Sequence, residues 1–434
     1  MKTKLFKGIA VAGLAAAVSA ALLCGCSGGS GATTSGEEAF TPALDTEQAV
    51  DISVVGGYSN FESLEAAFDD FNEYYPNVTL TYSKLDTYNV DLMESLSAGA
   101  DSETDIFMVS PYMYTHETYK AVVDYCENLA DTDVALDNVM SGILYTTEDG
   151  KNPTLPVFVA SYGMAVNEDL LAKYDLSIPT TYDELMDCCA VLQENGIEAP
   201  IQGCESNMYT CIAQGLLVTE LTSDSATLES FKSKDADSGE SIRDALELIQ
   251  KYCDSGYISH EANEASADGY EGQILHFFEG ETPFMILNSD TFTGMSKRES
   301  LSEEYTANPF TYSFVPIPTD SEGADVVMGC SAALAVNKNS ADLEYADEFM
   351  RFLSQEENLD KLAAGKHAPS VTGNDYEGSQ YTALTSVSAD RVVYDDGSRM
   401  PDERMISARA AFTSVGQGEK TIEEAIKDFP NSVD

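Results

Sequence analysis

The sequence has 434 residues, of which 43% are hydrophobic, and its 74 acidic and 23 basic side chains give a formal net charge of −51. A chain of this length is too long to fold around one ordinary hydrophobic core, so we expect two lobes. The acidic excess repels nucleic acid and anionic lipid, which argues against a nucleic-acid-binding protein. Because the acidic residues are scattered, they favour a solvated exterior over a cation-binding surface.

The N-terminus has the features of an export signal. Three lysines precede an apolar run from Ile9 to Leu23, which is too short to span a bilayer comfortably. The next residues, Leu23-Cys24-Gly25-Cys26, resemble the bacterial lipobox, although Cys24 is an unusual occupant of its second place. This resemblance implies cleavage before Cys26 and acylation of its thiol, and an ordinary secreted signal peptide is the alternative.

The residues after the export signal are rich in Gly, Ser and Thr. We therefore predict a signal peptide over residues 1–25 and a flexible tether over residues 26–49. The protein would then lie on the outer face of the bacterial cell membrane, held there by its lipid.

The first part of the body alternates strand and helix signals. Hydrophobic runs predict strands, and Ser59 with Glu62 has the spacing of a helix capping box. The elements in order are a strand at Asp51–Val55, a helix from Ser59, a strand at Val78–Tyr82, a helix near Val90–Ala98 and a strand at Asp105–Val109. This β-α-β-α-β order is typical of an open, mostly parallel sheet.

Two long apolar runs stand out in the rest of the chain. Leu155–Asn167 separates two α/β blocks, and we predict that the chain crosses there from one lobe to the other. Its least apolar part, Ala160–Gly163, is expected to face a ligand cleft. Val326–Asn337 has a similar character and suggests that more than one segment joins the lobes.

The sequence lacks the usual motifs for metal sites, phosphate-binding cofactors and disulfide frameworks. The four histidines have no metal-ligand spacing, and no glycine-rich loop with a following lysine is present for phosphates. Of nine cysteines, seven lie beyond the signal region, without a C-x-x-C pair. We therefore expect no cofactor and no disulfide framework.

Five motifs follow one another along the body. They are Pro156–Asn167 with the Glu-Asp-Leu-Leu that follows it, Pro179–Leu185, Gly280–Met285, Val315–Pro318 with Gly329–Asn337, and Lys420–Ile426. In this order, behind a lipobox, they resemble the extracellular solute-binding lipoproteins of ABC importers. The resemblance is to family 1, the sugar-binding group that includes maltose-binding protein, and it covers residues 50–430.

The resemblance implies a fold and a function. The fold is an α/β, two-lobed periplasmic-binding-protein-like fold with a central cleft and multiple hinge crossings. The N-terminal lobe would comprise residues 50–158 and 279–329, and the C-terminal lobe residues 159–278 and 330–434. The protein would capture a carbohydrate in the cleft, act as a monomer without catalysis, and deliver its ligand to the permease subunits of an ABC transporter.

Candidate ligand-binding residues follow strand ends or lie on the crossing segments, where backbone and polar groups can reach a cleft. They are Tyr58, Asn60, Ser110, Tyr112, Tyr162, Asn207, Tyr209, Asn288, Asp290, Phe292 and Ser331. The resemblance aligns Asp290 and Phe292 with the cleft aromatics of the family.

One departure from the family leaves the chemical class of the ligand undecided. The chain has no tryptophan and 23 tyrosines, whereas sugar binders of this family usually stack sugar rings on tryptophan. Asp290 also stands where an aromatic is usual. The ligand is therefore a sugar, a polyol, or a cationic or peptide-like solute. A surface enzyme or adhesin on the same fold is a further alternative, and glycoside hydrolysis would need paired carboxylates in the cleft.

Overall fold

The computed structural model describes residues 40–203, 205–259, 263, 269–363 and 366–432. The strands are β1 Val50–Gly56, β2 Val78–Lys84, β3 Ile106–Val109, β4 Leu155–Ala160, β5 Tyr162–Asn167, β6 Ile201–Gly203, β7 Phe284–Asn288, β8 Tyr312–Pro316, β9 Val326–Val336, β10 Ala368–Pro369 and β11 Val392–Asp395. They form a seven-stranded sheet and a four-stranded sheet, which define the first and the second lobe.

Helices surround both sheets. They are α1 Glu62–Asn72, α2 Tyr88–Ser97, α3 Glu168–Lys173, α4 Tyr182–Glu194, α5 Glu205–Ser223, α6 Ser225–Lys232, α7 Arg243–Asp254, α8 Gly269–Phe277, α9 Ser289–Thr293, α10 Glu303–Ala307, α11 Leu343–Leu353, α12 Glu356–Ala363, α13 Asp402–Gly416 and α14 Ile422–Asp428. Within the described ranges, no helix combines the length and the apolar character that a membrane crossing needs.

The predicted β-α-β-α-β unit is present in the first lobe. β1 pairs in parallel with β2 on one side and with β3 on the other. Since parallel strands end at the same edge of a sheet, the residues after β1 and β3 lie side by side. The larger sheet runs in the order β10-β4-β9-β3-β1-β2, and β11 also pairs with β9.

The first apolar run is divided between the two sheets. β4 pairs with β9 in the larger sheet, whereas β5 pairs with β7 and β8 in the smaller one. Ser161 separates the two strands, and its backbone N–H donates to Ser289 Oγ at 3.0 Å. The predicted crossing at Leu155–Asn167 is therefore confirmed, and its break is tied to the start of α9.

Strand pairing corrects the predicted division of the chain between the lobes. β7 and β8 were assigned to the N-terminal lobe with residues 279–329, but both pair with β5 in the second lobe. β9, β10 and β11 lie in the first lobe, although most of them fall within residues 330–434. The physical reason is that β9 is apolar on both faces, which suits the centre of the larger sheet.

A capping box starts α4, whereas the one predicted at Ser59 is absent. Thr181 Oγ1 accepts the N–H of Glu184 at 3.3 Å, and the Glu184 side chain caps the backbone in return. The Ser59 and Glu62 box does not form, because α1 begins only at Glu62 and no side chain caps it. Ser59 Oγ instead accepts a hydrogen bond from Lys84.

The described cysteines pack as small apolar side chains. The described cysteines are Cys126, Cys188, Cys189, Cys211, Cys253 and Cys330; all are free thiols, and all but the half-buried Cys253 are buried. Cys204 lies outside the described residues, as do Cys26, the predicted signal peptide and residues 26–39 of the predicted tether.

A carboxyl pair in the second lobe predicts a pH-dependent stability. Burial and a hydrogen bond that the protonated carboxyl of Glu220 donates to Asp244 raise the pKa of Glu220 from 4.5 to about 8. The folded chain thus keeps a proton that the unfolded chain releases from its ordinary pKa upward. Stability should therefore fall as the pH rises from 4.5 to about 8, and then level off.

Glu220→Gln should abolish this loss, because glutamine keeps the hydrogen bond and never ionises. Since Glu220 is only half-buried, solvent screening reduces the gain to about 1–2 kcal/mol above the raised pKa, with no gain below pH ~4. Urea unfolding across this pH range measures the difference. Exposed Glu194→Gln is the matched control, and an equal response of both variants would contradict the assignment.

Candidate functional site

Two cavities lie side by side between the lobes and together form the cleft. The first cavity measures about 870 Å³ and is lined by Tyr58, Asn60, Glu62, Lys297, Lys366 and His367, among others. The second cavity measures about 530 Å³ and is lined by Tyr112, Tyr162, Gln214, Asp395, Asp402 and Arg409, among others. Three residues, Ser110, Asp290 and Ser331, line both cavities.

Asp290 marks the junction of the cavities. It lies in the first turn of α9, where Asn288 Oδ1 accepts the N–H of Thr291 at 2.8 Å. Ser331 on β9 donates its hydroxyl to Asp290 Oδ1 at 2.6 Å, a contact between the two lobes. Burial in the cleft raises the pKa of Asp290, and the hydrogen bond from Ser331 opposes that rise.

The loop after β1 carries Tyr58 into the first cavity. Tyr82 donates its hydroxyl to the Tyr58 carbonyl at 2.9 Å, which holds this loop against the sheet. Gly56 is needed there because a Cβ would lie 2.4 Å from Met108 Sδ and 2.5 Å from the Tyr82 hydroxyl. Burial, followed by the charge of Asp290, raises the pKa of Tyr58, so its hydroxyl stays protonated and can donate.

His367 forms a second aromatic wall of the first cavity. Its ring stacks on Phe158 with centroids 3.8 Å apart, and it lies 6.3 Å from the Tyr58 ring. Burial and the charges of Lys297 and Lys366 lower the pKa of His367 to about 4. The imidazole is therefore neutral at neutral pH and offers a flat, uncharged surface.

The second cavity is more acidic and holds an unpartnered acceptor. Gln214 on α5 is 4% exposed, and its Oε1 has no hydrogen-bond partner among the described residues. A buried oxygen without a hydrogen bond lowers the stability of the fold, unless a ligand or water donates to it. Tyr162 is half-buried beside it, with a pKa that burial raises to about 12 against the opposing charge of Arg409.

The structure brings most of the predicted site residues together. Tyr58 and Asn60 line the first cavity, and Tyr112 and Tyr162 line the second. Ser110, Asp290 and Ser331 line both, as stated above. Tyr162 is half-buried and lines the second cavity, and its contact with a ligand stays a prediction.

Four predicted site residues lie elsewhere. Tyr209 is 1% exposed within the core of the second lobe, and Phe292 is 2% exposed against Tyr312, Phe314 and Tyr381. The predictions that these two rings contact ligand are wrong, because their helices turn them inward. Asn288 caps α9, and Asn207 lies outside the lining of both cavities.

Several lining residues escaped the sequence analysis. They are Tyr88, Gln214, Lys297, Arg298, Lys366, His367, Asp395, Asp402 and Arg409. A polar Gln214 in the otherwise apolar stretch of α5 was a usable signal. The cationic residues and His367 gave none, because they reach the cleft from segments far apart in the sequence.

Comparison with known proteins fits this architecture. A family model described as bacterial extracellular solute-binding protein matches residues 66–386. No curated protein sequence matches the chain.

Solved structures of low sequence identity share the fold. A sugar transporter protein of Bacillus licheniformis in complex with stachyose has a TM-score of 0.61 at 20% identity, over 88% of this chain and 99% of that chain. The GacH receptor of Streptomyces glaucescens, solved unliganded and with acarbose, has 0.64 at 16%, over 89% and 97%. The sugar-binding protein MalE of Xanthomonas citri has 0.66 at 16%, over 88% and 96%. These matches establish the two-lobed α/β fold.

Proposed function

Because the chain belongs to the bacterial extracellular solute-binding proteins, we propose that it captures a carbohydrate in the cleft between its lobes. The observation that carries the proposal is Asp290 at the junction of the two cavities, with Tyr58 on one side and Tyr162 on the other. A carboxylate is a good acceptor for neighbouring sugar hydroxyls, and tyrosine rings offer apolar faces with a polar edge.

The size and polarity of the cleft support an oligosaccharide. Cavities of about 870 and about 530 Å³ meet at Asp290, which exceeds what one sugar ring fills. The unpartnered Gln214 oxygen would accept a ligand hydroxyl. Tyrosine and the neutral His367 would replace the missing tryptophan as stacking surfaces.

The proposal extends to transport. Cys26 would carry the lipid that holds a monomer on the outer face of the cell membrane, and the tether would hold its body away from the surface. Ligand binding across both lobes would favour a closed state by its differential affinity, and the permease of an ABC importer would recognise that state.

Binding is proposed to occur without turnover. Asp290, Asp395 and Asp402 all line the second cavity, so the cleft holds more than one carboxyl group. Hydrolysis is therefore tested directly: maltose, raffinose and stachyose should be recovered unchanged after incubation with the protein.

Isothermal titration of the full-length chain tests the proposal. We expect saturable binding of one ligand per chain from a panel of maltose, raffinose, stachyose and acidic saccharides. At 100 times Kd, the ligand should stabilise the fold by ~2.7 kcal/mol in a thermal-shift assay. Polyols, amines and short peptides complete the panel, because the carboxyl groups of the second cavity also suit a cation. Heat from these alone, and from no saccharide, would contradict the proposal.

A further inference from the structure

We infer that the captured saccharide carries an anionic group, a carboxylate, sulfate or phosphate ester, which the first cavity holds beside Lys297 and Lys366. This inference rests on the proposed carbohydrate function of the same cleft. Over the whole chain acidic residues outnumber basic ones by 74 to 23. The first cavity reverses this balance, since its lining has the basic residues Lys297, Arg298 and Lys366 against the acidic residues Glu62 and Asp290.

The basic side chains differ in how far they are neutralised. Arg298 Nη2 lies 3.5 Å from Glu271, and Lys366 Nζ lies 3.5 Å from Glu62. Lys297 is exposed to the cavity and forms no ion pair with any described residue. One positive charge is therefore uncompensated in a protein that has acidic residues in excess.

Hydrogen bonds to the backbone fix the position of the segment that carries Lys366. The Lys366 carbonyl accepts hydrogen bonds from the hydroxyls of Thr293 at 3.0 Å and Tyr381 at 2.7 Å. These bonds join the segment after α12 to α9 and so bring Lys366 near the α9 end that precedes Lys297. Lys297, Lys366 and His367 line the same cavity, and burial and the charges of both lysines lower the pKa of His367.

Apart from Glu62, the carboxyl groups of the cleft line the second cavity, which neither Lys297 nor Lys366 lines. Asp290 lies where the two cavities meet and accepts the Ser331 hydroxyl at 2.6 Å. Beyond it, Asp395 and Asp402 line the second cavity. An acidic saccharide would thus bind in one direction, with its anionic group at His367 and its neutral hydroxyls at Asp290.

Matched pairs of ligands test this inference on the full-length chain. Disaccharides that end in glucuronic acid are compared with those that end in glucose, and glucose 6-phosphate and glucose 6-sulfate are compared with glucose. We expect the anionic member of at least one pair to bind about tenfold more tightly, with an advantage that declines as salt is added. The pair that shows it identifies the anionic group.

A charge-removing variant assigns the effect to the cavity. Lys297→Met should remove most of the tenfold advantage, measured as the ratio of the affinities for the anionic and the neutral member of the pair. Lys232→Met removes the same charge from an ion pair on the surface of α6 and should change neither affinity. Equal effects of both variants would show a general charge effect and overturn the inference.

The outcomes separate the two proposals. Neutral saccharides that bind as tightly as anionic ones, or more tightly, overturn the inference and leave the carbohydrate function standing. If no saccharide of either kind binds, the proposed function falls and the inference falls with it.

Discussion

Asp290→Ala is expected to weaken saccharide binding about 100-fold, or ~2.7 kcal/mol. Asp290 lines both cavities, and one of its oxygens already accepts the Ser331 hydroxyl at 2.6 Å. The other oxygen accepts no hydrogen bond from the described residues and can accept ligand hydroxyls. Hydrogen bonds to a charged group contribute ~1.5–3 kcal/mol each. Alanine would lose these bonds and also release Ser331 from the opposite lobe.

Titration calorimetry with the tightest saccharide of the panel measures this loss. Asp290→Asn, which keeps one acceptor and the side-chain shape, should lie between the parent and the alanine variant. Asp187→Ala on the exposed side of α4 is the control for net charge and should bind normally. Parent-like affinity of Asp290→Ala would remove the residue that carries the proposed function.

The pH dependence of binding offers an independent check. Burial raises the pKa of Asp290 above its ordinary value. Binding through the carboxylate should therefore weaken as the pH falls through that raised pKa, at a higher pH than an exposed aspartate would give. Asp290→Asn should lose this part of the pH profile.

Arg404→Ala is expected to destabilise the fold by about 4 kcal/mol. Arg404 is 3% exposed within the second lobe. Its guanidinium donates to the carbonyls of Phe231 at 2.7 Å and Phe429 at 3.1 Å, and to Ser238 Oγ at 3.3 Å. It also stacks 3.8 Å from the centre of the Phe429 ring. Alanine would leave buried acceptors without a donor and open a cavity between α13 and the C-terminal segment.

Urea unfolding of the parent and variant measures this change. Arg404→Lys should recover part of the loss, because an ammonium can reach one or two of the three acceptors. The exposed Arg399→Ala should change stability by less than ~0.5 kcal/mol. A loss of equal size in both alanine variants would show that burial of the Arg404 guanidinium is not its cause.

Local sequence patterns predicted the part of the cleft that is built from the residues after β1 and β3. The alternation of strands and helices over residues 51–109 requires neighbouring parallel strands, so the residues after β1 and β3 had to share an edge. Tyr58 and Ser110 accordingly line the same cavity. The ordered motifs also predicted the solute-binding family, which the match over residues 66–386 confirms.

These patterns did not predict which side of a helix faces the cleft. α5 is apolar around most of its circumference, so its sequence does not reveal which side faces the cleft. Tyr209 points into the core, whereas Gln214, five positions later and on another side of the helix, reaches the second cavity. In the same way Asp290 faces the cleft and Phe292, two positions later on α9, is buried.

The sequence by itself determined the α/β class, the crossing near Ser161 and the polar residues that follow the first strands, because each depends on periodicity and short-range spacing. Only the tertiary structure decided that β7 and β8 belong to the second lobe, since strand pairing is set by contacts between distant segments. It also decided the charge of the cleft. Lys297 and Lys366 are 69 positions apart and line the same cavity only because α9 packs against the segment that follows α12.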